Sequence, residues 1–81
     1  MYSLRYKPDV EAVWDSLPDK ARTEFDAAIT AVCEDPYSTT EPHPDNGDVK
    51  RLLICEHTRA VLVVFEAPIE RIRILDLAYL G

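Results

Sequence analysis

The cations of this chain are its best candidates for chemistry, and their spacing matters. Arg71 and Arg73 stand two apart in a β-rich run, which projects both to one face of a strand while Ile72 and Ile74 project to the other. Lys50 and Arg51 open a second such run and Arg59 opens a third. Guanidinium and ammonium groups gathered on one surface bind phosphate and other oxyanions. Scattered along edges, the same groups only solvate a sheet or keep an apolar strand from aggregating. Lys50 and Arg51 are adjacent and point to opposite faces, so at most one of them shares a groove with Arg73.

Charge restricts where such a groove lies. The chain carries a formal net charge of −6, which opposes strong sequence-independent binding to nucleic acid. Through residue 49 there are four basic residues against eleven acidic ones; residues 50–81 hold five against four. An anion-binding surface therefore belongs to the C-terminal half, while the N-terminal half repels polyanions.

Other chemistries find little support. Cys33, His43, Cys55 and His57 lack the paired spacing of a zinc site, and the two thiols read as reduced side chains, Cys33 as a small core hydrophobe. His57 falls at a hairpin tip and His43 between two prolines, neither with an orienting partner. With Gly47 and Gly81 as the only glycines, a glycine-rich phosphate loop is excluded. No nucleophile–base pair stands out, and no metal or cofactor is implied.

The elements that must position the cations follow from apolar periodicity. Residues 2–6 suit a short strand. Pro8 with Asp9 and Glu11 suits a helix start, since proline fits the first turn and carboxylates complement the positive end of the helix dipole. Val10, Val13, Trp14 and Leu17 recur on one face of that helix. Ser16 and Asp19 have capping-box spacing with Pro18 in the first turn of a second helix, whose stripe is Ala21, Phe25, Ala28, Ile29, Val32 and Cys33. Helices joined so closely form an antiparallel hairpin with both stripes on a common sheet.

Residues 35–48 contain three prolines and the Asn46-Gly47 pair, so neither helix nor strand is expected to propagate through them. Three β-rich runs follow at 49–56, 59–66 and 71–77, joined tightly at His57-Thr58 and more loosely at 67–70, as consecutive antiparallel hairpins. The run from Ala60 to Phe65 is apolar throughout and reads as the central strand. The fold class is α+β: a short strand, a helical hairpin, then a three-stranded antiparallel meander, in one domain spanning 1–81. No apolar run approaches the roughly 20 residues that cross a bilayer, and residues 1–7 hold no secretory signal, so the expected location is the cytoplasm, with no membrane partner.

The β-α-α-β-β-β order resembles the RelE/ParE superfamily of toxin–antitoxin toxins. Leu17-Pro18 between the helices, Asp35-Pro36 after the second, Lys50-Arg51, the strand from Arg59 to Phe65 and the closing Ile72-Arg73-Ile74-Leu75-Asp76-Leu77 all fall in family-like order. The likeness covers nearly the whole chain and implies a toxin restrained by a cognate antitoxin. Its target would be ribosome-bound mRNA, which it would cleave without metal, or DNA gyrase, which it would inhibit by binding. Cleavage needs an activated 2′-hydroxyl, cations for the charge building on the phosphate, and a proton for the leaving oxygen.

In that resemblance Arg71 and Arg73 correspond to the last-strand arginine position that holds the scissile phosphate. Lys50, Arg51 and Arg59 correspond to the basic positions flanking the active groove. Tyr79 corresponds to a C-terminal tyrosine that protonates a leaving oxygen or stacks on a base; its alternative reading is packing or an interface. The RNA-cleaving branch carries a basic or histidine-containing tail after the last strand, where this sequence reads Ala78-Tyr79-Leu80-Gly81. The competing reading is therefore a non-catalytic binding module of the same fold, of the gyrase-inhibitor type or one that only binds antitoxin or self-associates as a homodimer. Strict alternation past Arg73 would also bring Leu75, Leu77 and Tyr79 to the face of the arginines, as an apolar patch, unless the alternation breaks.

Overall fold

The computed structural model describes residues 1–45 and 49–81, so the Asn46-Gly47 turn signal lies outside the described residues. Strand β1 (Ser3–Tyr6) leads into α1 (Pro8–Ser16) and α2 (Asp19–Glu34). A one-turn helix α3 (Pro36–Thr39) and a two-residue strand β2 (Glu41–Pro42) precede the meander β3 (Lys50–Ile54), β4 (Thr58–Phe65) and β5 (Arg71–Tyr79). The five strands form one sheet in the order β1-β5-β4-β3-β2. β1 runs parallel to β5, and the remaining neighbours are antiparallel.

The α+β class and the helical hairpin followed by a meander are as the sequence predicts. Pro8 occupies the first turn of α1 with Asp9 and Glu11 beside it. The capping box does not form. Ser16 still belongs to α1 and donates its hydroxyl to the Val13 carbonyl at 2.8 Å, so α2 begins with Pro18 at its cap position and no side-chain cap. The C-terminal carbonyls of α1 are met instead by Arg22, whose guanidinium donates to the Trp14 and Asp15 oxygens.

The segment after α2 is more ordered than its prolines suggest. Asp35 accepts the Ser38 amide to cap α3, and β2 pairs Glu41 with Leu52 and Pro42 with Arg51. Proline is tolerated in β2 because this is an edge strand.

The core lies between the helices and one face of the sheet. Phe25, Val32, Leu62 and Ile72 are fully buried there, with Leu17, Ile29, Leu53, Ile74 and Leu77 nearly so, and Val13 and Trp14 packed against them. Trp14 stands edge-on to Phe25 with ring centroids 4.9 Å apart, and its indole N–H donates to Asp26 at 2.8 Å. No helix among the described residues is long and apolar enough to cross a membrane.

Candidate anion-binding face

No helix among the described residues lies over the other face of the sheet, and strand alternation decides which side chains reach it. On β4 the buried Thr58, Ala60, Leu62 and Val64 alternate with Arg59, Val61, Val63 and Phe65, which face outward. Register then builds rows across the sheet. Arg5 partners Arg73, Arg73 partners Val63, and Val63 partners Lys50. The next row on one side is Ser3, Arg71 and Phe65; on the other it is Asp76, Val61, Leu52 and Glu41.

Four cations, Arg5, Lys50, Arg71 and Arg73, thus share one end of the open face. The ion pairs among the described residues are Met1 with Glu70 and His43 with Asp45, so none of the four is matched by a carboxylate there. Arg71 is half-buried, and its Nε has no hydrogen-bond partner among the described residues. Like charges set opposite one another on neighbouring strands are destabilising, so this end of the sheet carries an unmet demand for negative charge.

Arg51 lies elsewhere. It points to the covered face and is 9% exposed, donating from Nε to the Thr40 hydroxyl at 3.0 Å and from Nη2 to the Thr40 carbonyl at 2.9 Å. Its guanidinium also stacks 5.2 Å from the Tyr37 ring centroid. It ties α3 to the sheet. Arg59 faces the open side but partners Ala78, four positions along β4 from Val63, about 13 Å away. The row holding Asp76 and Glu41 intervenes.

Tyr79 is separated from Arg73 by a β-bulge. The pairing runs Leu62 to Ile74 and then Val61 to Asp76, which leaves Leu75 as the extra residue. Alternation resets there, so Leu77 is buried and not displayed beside the arginines. Tyr79 partners the buried Thr58, on the covered side, about 20 Å along β5 from Arg73.

Arg5 is the cation that sequence reasoning left out. The signal was present, since Leu4 and Tyr6 alternate with Ser3 and Arg5, but only the parallel pairing of β1 with β5 brings Arg5 beside Arg73.

Among the described residues three groups have perturbed acidities, all off this face. Burial pushes the Cys33 thiol up. Burial also pushes the Cys55 thiol up, helped by the Glu24 carboxylate and opposed by a hydrogen bond to Thr58. Burial raises the Tyr37 phenol, the neighbouring Glu66 carboxylate adds to it, and the Arg51 cation opposes. Cys33 and Cys55 are free, and no group of three or more His, Cys, Asp and Glu side chains among the described residues is placed to hold a metal ion. A shallow cleft lined by Tyr6, Glu11, Trp14, Asp15 and Arg22 sits at the helical hairpin.

This arrangement is that of a RelE-like fold. A chain of the toxin–antitoxin complex RelBE2 of Mycobacterium tuberculosis superposes with a TM-score of 0.71 over 96% of each chain, at 14% sequence identity. No protein-family model and no curated protein matches the sequence.

Proposed function

We propose that this chain is the toxin of a type II toxin–antitoxin system, acting in the cytoplasm under the restraint of an antitoxin. Its leading mechanism is metal-independent cleavage of ribosome-bound mRNA. The observation that carries this reading is the cluster of Arg5, Lys50, Arg71 and Arg73 on an uncovered sheet face, in a chain otherwise strongly acidic. The likeness of the fold to a chain of a toxin–antitoxin complex supports the antitoxin partner.

In this mechanism the arginines grip the scissile phosphate and offset the charge that builds on its oxygens. A guanidinium offers donors and no acceptor, so these groups stabilise charge and do not act as a base. Lys50, across β4 from Arg73, adds an ammonium cation to the same row.

The second reading, a binding module without chemistry, draws on the apolar residues beside the cations. Leu52, Ile54, Val61 and Val63 face outward on β3 and β4, and Ile54 is 49% exposed. Controlled expression in bacteria distinguishes the two. Growth arrest with truncated ribosome-bound mRNA is the expected result; arrest with intact mRNA favours a bound protein target such as gyrase, and no arrest overturns the toxin reading.

A further inference from the structure

We infer that the open face contains a nucleotide subsite in which Arg5 and Arg73 hold one phosphate while Phe65 stacks on a base of the same single strand. This rests on the reading of the chain as an RNA-binding toxin, and it assigns roles to Arg5 and Phe65.

Arg5 and Arg73 are direct partners across the parallel β1–β5 pair, and both are exposed. Two guanidiniums so placed repel one another until an anion lies between them. Among the described residues the side chain of Arg5 makes one hydrogen bond, from Nη1 to the Leu4 carbonyl at 2.9 Å, which leaves its other donors available there. Phe65 projects from β4 on the same face. It is the partner of Arg71 and, because Val63 partners Arg73, the diagonal neighbour of Arg73. Diagonal neighbours on one sheet face lie about 7–8 Å apart, within reach of aromatic and long side chains.

An aromatic face beside a cationic groove is how proteins hold single strands, since every base has a π-surface to stack and every linkage a phosphate to neutralise. A free phosphate needs the arginines alone. The acidity of the rest of the chain keeps the contact short, as the neighbouring Asp76 and Glu41 row limits the cluster on one side.

The test is fluorescence anisotropy of a short labelled single-stranded RNA titrated with the full chain over a series of salt concentrations. Wild type should bind with an affinity that falls as salt rises. Arg5→Gln should weaken binding and lower the slope of log K against log salt by about 0.7, the share of one single-strand phosphate. Phe65→Leu should weaken binding roughly five- to a hundred-fold with the slope unchanged. Inorganic pyrophosphate should compete for the arginines in wild type and Phe65→Leu alike, and Lys20→Gln on the exposed side of α2 should change nothing. Melting curves check that each variant is folded. If Arg5→Gln keeps the wild-type slope, or Phe65→Leu keeps the wild-type affinity, the subsite is wrong while RNA binding stands. If folded wild type binds no RNA at any salt, the subsite and the RNA reading fall together.

Discussion

Glu24 reaches from the middle of α2 to the β3–β4 turn, where its carboxylate accepts the backbone N–H of His57 at 3.1 Å and that of Glu56 at 3.0 Å. The two ends of this contact are more than thirty residues apart in sequence, and the turn's own closing bond is Cys55 N–H to the Thr58 carbonyl at 2.9 Å. A helix side chain thus does for the hairpin what a tight-turn sequence does elsewhere. Glu24→Ala should cost about 1–2 kcal/mol in urea denaturation, since hydrogen bonds to a charged acceptor are lost at a partly exposed site. Glu24→Gln, which can keep one acceptor oxygen, should recover part of that. An unchanged midpoint for Glu24→Ala would show that the turn holds itself.

Phe25→Ala should be among the most damaging core changes. The ring is fully buried under Trp14 and over the sheet, and losing it from a core of this size should cost roughly 3–5 kcal/mol. That is a large share of the marginal stability of a small protein, so the variant should melt far below wild type or fail to fold.

Arg51 and Arg73 should separate fold from function. Arg51→Ala removes the donor that satisfies the Thr40 hydroxyl and carbonyl in a buried site, and should lower stability by roughly 2–3 kcal/mol. Arg73→Ala removes an exposed cation among cations and should leave the melting temperature equal to wild type or slightly higher. The opposite ranking in thermal melts would mean that the two faces have been interchanged.

The half-buried thiols give the alkaline limb of stability a definite sign. Both Cys33 and Cys55 are raised above the ordinary value of 9.0, so the folded state holds their protons at pH values where the unfolded chain has released them. Stability from this source is fully present below about pH 8–9 and falls as pH rises through the raised values. Tyr37 adds in the same direction from its ordinary value of 10.0. A Cys33→Ala, Cys55→Ala double variant should show a flatter decline between pH 9 and 10 in denaturant titrations, and the native thiols should alkylate slowly at neutral pH.

Much of this architecture was legible because short-range signals agree with one another. The helix start at Pro8, the stripes of α1 and α2, and the placement of both Ile72 and Ile74 on the covered face all follow from periodicity and dipole chemistry. Arg71 and Arg73 on one face, and Lys50 opposed to Arg51, follow from the two-residue period of strands. What escaped depends on contacts remote in sequence. The bulge at Leu75 arises where β4 and β5 lose register, and one extra residue turns Leu77 inward. Order in α3 and β2 comes from Arg51 gripping Thr40, a contact that the prolines of that segment conceal. Arg5 joined the site only through parallel pairing between the first strand and the last.

The last prediction sets Arg73 against Tyr79 in one growth assay and one antitoxin-binding assay. Arg73 stands in the centre of the cationic cluster, whereas Tyr79 lies about 20 Å along β5 and beyond the bulge, on the side of the buried Thr58. If the cluster is where an RNA phosphate is held, Arg73→Ala should abolish growth arrest on expression, while its antitoxin binding and melting temperature stay near wild type. Tyr79→Ala should still arrest growth, because a phenol at that distance cannot protonate an oxygen leaving a phosphate bound by Arg73. Its effect should appear in antitoxin binding, where a ring 49% exposed can serve as an interface anchor. Loss of arrest in Tyr79→Ala with antitoxin binding intact would reverse the assignment and place the reacting atoms at the far end of the sheet, nearer to Arg59, which partners Ala78 there.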